Sequence, residues 1–306
     1  MAGSVRRERV TFPSAGAELV GDLYHPVPAG GVEVRGPGVV VAGSWTTVKE
    51  QTAGLYARCL AERGVRALAF DFTGFGGSGS GGGPRDAELP ARKVADLAAA
   101  VRFLCGHRLV DPGQVALLGV GAGGGYAAVA AASDPLVGAL ALVVPWWHDA
   151  GPAEAVQGSP DVVRERLAAA AAARDEYVTT GQVRYVPAVS ETDPAAAMYG
   201  PFDYYLDPAR GAVPEWSNRF AVLAWADLLA FDPIAHAGRI GAPTLVVQGE
   251  DVPLPEGVRR FHGELRSGGE LLWLKGTRFD FYDGRAQVEA AVTAGVEHFR
   301  RAFATG

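Results

Sequence analysis

Residues 114–132 read QVALLGVGAGGGYAAVAAA, and this stretch restricts the fold more than any other. A continuous apolar run enters a glycine-rich turn and leaves as an alanine-rich helix. Neither half has a polar face, so both must be covered from all sides, as in a parallel sheet with helices packed on each face. The flanking sequence repeats the alternation. Helix 49–63 precedes strand 65–71, helix 91–105 precedes strand 114–120, and helix 124–132 precedes strand 137–145. After an interruption come strand 243–249, helix 255–266, strand 271–274 and a closing helix near 285–303. Residues 7–13 and 18–25 read as an opening antiparallel pair turned at Ala15-Gly16, and residues 38–43 (GVVVAG) as a central strand. Such βα alternation predicts a doubly wound sheet with its ligand site at the carboxyl ends of the strands.

The turn itself admits two readings. Gly119, Gly121 and Gly124 fit G-x-G-x-x-G, in which a dinucleotide pyrophosphate approaches a helix N-terminus. That reading needs an acid at the end of the next strand to hold the ribose, and the next strand ends Val144-Pro145-Trp146-Trp147. In the other reading the turn is G-x-S-x-G, a strand-to-helix elbow that lifts a nucleophile above the sheet. Gly119 and Gly123 supply the flanking glycines, and Gly121 stands at the nucleophile position.

With the elbow in view, the chain resembles the α/β-hydrolase fold family, in its dienelactone-hydrolase-like and peptidase-like group. The marks are Lys49-Glu50-Gln51, the run from Phe70 to Gly79 (FDFTGFGGSG), Pro84-Arg85-Asp86, Gly123-Gly124-Gly125-Tyr126, and the run from Gly276 to Asp283 (GTRFDFYD). The interruption at 149–230 differs in composition, with an Ala-rich helix at Val162 to Arg174 and clustered aromatics, and reads as a mostly helical, aromatic-rich lid inserted in a core of residues 1–148 and 231–306. The resemblance implies a Ser or Cys where Gly121 stands and a His where Arg278 aligns. The family acid falls at Asp251, with Glu250 as the alternative. Glycine cannot attack, and an arginine keeps its proton far above neutral pH, so acyl-enzyme hydrolysis by the usual route is not expected.

The remaining groups suggest other chemistry. Backbone N–H groups at Ala122, and at Ser44-Trp45 after the central strand, form the expected oxyanion hole, and Arg278 adds a fixed charge suited to a carboxylate or enolate. Arg278 is expected to pair with Asp251 or Glu250 near Gly121. His148 follows a strand end and is the histidine placed to face the pocket. Trp146, Trp147, Tyr204, Tyr205 and Trp216 are expected to contact substrate. Three functions fit: a non-hydrolytic enzyme of polyketide-like biosynthesis performing a cyclisation, isomerisation or lyase step; a small-molecule-binding protein; or a hydrolase with a displaced nucleophile such as Ser44 or Ser78.

Composition narrows the partners. A net charge of −6 at pH 7 leaves no basic footprint for nucleic acid or anionic membranes, so a small, largely apolar molecule with a carbonyl or carboxylate is expected. Cys59 and Cys105 lie in helical patterns and read as reduced core residues. The six histidines contain no i, i+4 pair, so neither metal nor cofactor is expected. No apolar run approaches the roughly 18 residues of a membrane span, and a cytoplasmic location is expected.

Overall fold

The first ten-residue strand, β1 (Val5–Ser14), pairs antiparallel with β2 (Ala17–Pro26) through the two-residue turn at Ala15-Gly16. The computed structural model describes residues 3–28, 30–147, 159–253, 255–266 and 268–304. From β2 the chain enters β3 (Gly36–Ala42), α1 (Thr52–Glu62), β4 (Arg66–Phe70), α2 (Pro90–Cys105), β5 (Val110–Val120), α3 (Ala122–Ala131) and β6 (Ala139–Val143). Four short strands follow: β7 (Tyr185–Pro187), β8 (Val189–Ser190), β9 (Met198–Tyr199) and β10 (Arg219–Ala221). The sheet resumes with β11 (Thr244–Gly249) and ends with β12 (Gly269–Leu274).

Eight strands form one sheet in the order β1-β2-β4-β3-β5-β6-β11-β12, antiparallel at the β1-β2-β4 edge and parallel from there on. The parallel strands alternate between two apolar layers. Val39 and Val41 of β3 face a core shared with α1 and with α9 (Arg285–Ala304), whereas Val40 and Ala42 face one shared with α2, α3 and α7 (Pro255–Glu264). Burial on both faces explains why β6 reads as an unbroken apolar run and why β4 and β11 carry apolar runs, Ala67 to Phe70 and Leu245 to Val247. The predicted strands and helices of the sheet are all present, with ends shifted by a few residues.

Strand order sets the position of the site. The chain runs outward from β3 to β4 and then returns to the opposite side of β3 as β5, so a crevice opens between the carboxyl ends of β3 and β5. Ser44 lies just past β3, and Gly121 just past β5.

Residues 159–230 lie between β6 and β11 in sequence. They contain α4 (Pro160–Thr180), capped by the Ser159 hydroxyl on Val162 N–H, then the short α5 (Asp203–Leu206) and α6 (Trp225–Leu229). Beside these helices the region carries two short strand pairs that the sequence reading did not include, β7 with β10 and β8 with β9. Runs of two or three residues carry no periodicity, so they leave no trace in the sequence. The insertion is tied to the core by buried polar contacts. Gln51 Nε2 donates to Gly211 O at 2.6 Å, Trp216 Nε1 to Thr46 O at 3.0 Å, and Ala221 N to Asp86 O at 2.9 Å. Among the described residues, no helix is long and apolar enough to cross a membrane.

Candidate active site

The elbow after β5 has the strained geometry that the turn pattern calls for. Gly121 sits at φ 58° and ψ −126°, receives no side-chain cap, and opens α3. Its N–H donates to Val143 O, and its carbonyl accepts from Gly124 N–H and Trp146 N–H. This backbone conformation is costly for any residue with a Cβ. Close packing also holds the turn, since a Cβ on Gly123 would collide with the backbone carbonyls of Ala42 and Gly43.

The space above Gly121, which a nucleophile would fill, is occupied from the other side. A Cβ at position 121 would collide with Tyr282 Oη and come within 2.5 Å of Ser44 Oγ. Those two hydroxyls hydrogen-bond to each other at 2.6 Å, and Tyr205 Oη approaches Ser44 Oγ at 3.5 Å. Ser44 is buried and anchored by its backbone, its N–H bonding Thr52 Oγ1 and its carbonyl accepting from Thr47. Tyr282 comes from α8 (Asp280–Asp283), the turn that follows the expected histidine position. Burial pushes the Tyr205 phenol well above its ordinary range, so it stays protonated at neutral pH.

These hydroxyls open onto a cavity of about 490 Å³ at the carboxyl end of the sheet. Trp45, Ala122, Tyr126, Trp146 and Pro253 supply the core side of its wall, and Met198, Phe202, Tyr205, Trp225 and Leu228 are among the insertion's contributions. Ala122 is the first residue of α3, and the first N–H groups of a helix have no acceptor within it. A carbonyl oxygen placed here would meet backbone donors and the positive end of a helix dipole.

Two cations line the cavity, and among the described residues no carboxylate does. The Arg278 guanidinium lies over the Trp146 ring at 4.3 Å and the Phe279 ring at 4.8 Å, with Nε buried and without a hydrogen-bond partner. The expected pairing of Arg278 with Asp251 or Glu250 is therefore not formed: both acids are exposed, and aromatic faces hold the guanidinium instead. Arg166, on α4, was not anticipated. It stacks on Trp225 at 4.1 Å, donates from Nη2 to Ala197 O at 3.1 Å, and has Nη1 buried without a partner. Its pKa is lowered by burial. The signal was present in the sequence, since Arg166, Ala170 and Ala173 share one helical face, and that face is the buried one.

Of the five aromatics expected at the substrate, Trp146 and Tyr205 line the cavity. The other three belong to the core. Trp147 points to the opposite layer and stacks on Phe261 at 4.4 Å, Tyr204 packs edge-on against Tyr205 and Tyr282, and Trp216 is held by Thr46 O. Adjacent residues leaving a strand end point to opposite sides of a sheet, which separates Trp146 from Trp147. His148 lies outside the described residues, and no histidine among the described residues lines the cavity. Ser78 is excluded as a displaced nucleophile, because its hydroxyl donates to Asp71 O, accepts from Val20 N–H and is buried away from the cavity.

A His/Glu cluster unforeseen from spacing lies at the other end of the sheet, where ligand atoms of Glu8, His25 and His107 fall within 4.8 Å of one another. The three come from β1, β2 and the turn after α2, so no local motif marks them. Leu109 N–H occupies His107 Nδ1 and Arg6 occupies Glu8, which leaves the group poorly disposed towards a cation.

The elbow, the crevice at the change of strand order and the insertion after β6 are the architecture of one family, and a family model described as "Alpha/beta hydrolase family" matches residues 34–291. The chain belongs to the alpha/beta hydrolase family. An uncharacterized protein of Pseudomonas aeruginosa is 38% identical over 143 residues, 46% of this chain, and the match spans 37% of that relative's length. The crystal structure of that protein superposes with a TM-score of 0.84 at 25% identity, covering 97% of this chain and 94% of the other. A polyketide transferase of Aspergillus fumigatus is 28% identical over 250 residues, 79% of each chain. A thiohydrolase of Aspergillus aculeatus is 28% identical over 252 residues, 78% of this chain and 75% of its own.

Proposed function

We propose that this protein is a natural-product biosynthetic enzyme that performs a redox-neutral cyclisation or isomerisation of an oxo-substituted, polyketide-like substrate without a covalent intermediate. The observation that carries the reading is the Ser44–Tyr282 hydroxyl pair filling the space above Gly121. A hydrolase of this fold needs a nucleophile there with a base beside it; here there are two hydrogen-bonded hydroxyls beside the N-terminus of α3. The similarity to a polyketide transferase and a thiohydrolase supports an acyl or polyketide substrate class.

Such a site suits carbonyl activation. With a substrate carbonyl oxygen against Ala122 N–H and Tyr282 O–H, attack on the carbonyl carbon by an enol carbon of the same molecule forms one C–C bond and moves the π pair onto oxygen. Tyr282 donates its proton to that oxygen, Ser44 re-protonates Tyr282, and the enol O–H proton returns to Ser44, so atoms and charge balance with no other reagent. Arg278 offsets the negative charge as it develops. A Ser44 nucleophile is disfavoured because its neighbours are phenols, and a protonated phenol such as Tyr205 is no base at neutral pH.

Turnover of an aryl-substituted 5,9-dioxodecanoic acid, in which C10 as an enol carbon can close on the C5 carbonyl in a six-membered ring, followed by chromatography with mass detection, tests the proposal. The expected product has the substrate's own mass. Tyr282→Phe should lower kcat about 10²- to 10³-fold, with KM within a few-fold of wild type. Absence of a cyclised product of that mass, or an unchanged kcat in Tyr282→Phe, would count against it.

A further inference from the structure

The cavity wall has a charge imbalance that activation of one carbonyl does not use. Arg278 is explained by charge developing during the reaction, but Arg166 comes from the insertion and stacks on a different ring, Trp225. Both cations are half-buried among aromatic rings and lack an ion-pair partner among the described residues, and each keeps one buried nitrogen unbonded. A buried guanidinium N–H without an acceptor is costly to maintain, and proteins normally complete such groups. Among the described residues, no acid of the wall does so. The field of two positive charges inside a low-dielectric, aromatic-walled cavity favours an anion from solution.

Taking the cavity as the catalytic site proposed above, we infer that its substrate carries a free carboxylate recognised by Arg166. The substrate class is an apolar oxo-carboxylic acid, with its carbonyl end at the Ser44–Tyr282 pair and its carboxylate end towards the insertion. Arg166 is a specificity-determining residue: it binds a charge present before and after the reaction. A planar fork stacked on Trp225 fits a planar carboxylate better than a point-like ammonium would. The reaction that supplies this substrate must then be one that releases a free acid, since an ester or thioester of the same chain presents no charge to Arg166.

The test is a binding experiment that needs no turnover. Quenching of tryptophan fluorescence by 2-naphthoate and by the uncharged 2-naphthamide gives two dissociation constants for the same ring system. The naphthoate is expected to bind about 10- to 100-fold more tightly than the amide. Arg166→Gln should remove most of that preference while leaving amide binding within about two-fold, and Arg164→Gln, on an exposed face of the same helix, should leave the preference intact. Melting curves of the two variants confirm folding. Equal affinity for acid and amide, binding of neither, or a preference that survives Arg166→Gln overturns the inference. A carboxylate preference in a protein whose Tyr282→Phe variant turns over normally would retain the inference and refute the catalytic reading.

Discussion

Two regions at the same end of the sheet bury charge, and they differ in whether the charge is answered. In the first, Glu88 is fully buried and accepts from Lys93 Nζ at 2.7 Å, Tyr126 Oη at 2.6 Å and Thr46 N–H at 3.1 Å, while Phe72 and Phe75 cover the ammonium. Lys49 and Asp71 repeat the arrangement nearby, with Gly77 N–H bonding the same carboxylate. In the second region, Arg166 and Arg278 lie against aromatic rings with unbonded nitrogens and, among the described residues, no acid beside them. A closed network holds a loop in place; an open one leaves its electrostatic free energy for a ligand. Tyr126 belongs to both, lining the cavity with its ring and bonding Glu88 with its hydroxyl.

The comparison breaks first at the closed network. Glu88→Ala leaves a buried ammonium, a phenol and a backbone N–H without their acceptor, and should cost about 3–5 kcal/mol of stability by denaturant titration. A loss below about 1 kcal/mol would mean the network is not what holds the loop. Trp216→Ala belongs with it: the ring packs in the core, so about 3–5 kcal/mol of stability should be lost as well, with KM changed only through unfolding.

At the open network the balance should reverse. Arg278→Ala should lower kcat about 10²- to 10³-fold while stability moves by less than about 1 kcal/mol, since only ring stacking is lost. Arg278→Lys should restore part of the rate, because the ammonium keeps the charge and loses the planar fork. A stability loss as large as that of Glu88→Ala would place Arg278 with the scaffold.

Two smaller effects sharpen the boundary. Gly121→Ser should destabilise by about 1–3 kcal/mol, because the new side chain meets Tyr282 and Ser44 in a backbone conformation that disfavours it, and should create no esterase. Measurable p-nitrophenyl ester turnover in that variant would show that a base is present. Asp251→Asn should change stability by less than about 0.5 kcal/mol and leave kcat unaltered, as its carboxylate is exposed and without a partner among the described residues.

The sheet was legible in the sequence because strands buried on both faces leave unbroken apolar runs and long helices leave periodicity. The elbow was legible because Gly119, Gly121 and Gly123 stand in a fixed pattern. What filled the elbow was not, since Ser44 and Tyr282 are separated by 238 positions and meet only because the segments following β3 and β12 converge above the elbow at the end of β5. Arg278 was found by its alignment, but its partners were not, because ring stacking leaves no pattern and an acid in the right register, Asp251, suggested an ion pair. Trp147, Tyr204 and Trp216 were misplaced for a general reason: aromatic residues serve cores and pockets alike, and only packing tells which.

Under the proposed function, no side chain of this protein acts as a covalent nucleophile at the elbow. Incubation with a fluorophosphonate probe followed by intact-protein mass measurement tests it without knowledge of the substrate. The protein mass should be unchanged over a period that labels a serine hydrolase to completion; a stoichiometric adduct, located at Ser44 or at any other serine of the cavity, would contradict the account and restore hydrolysis as the function.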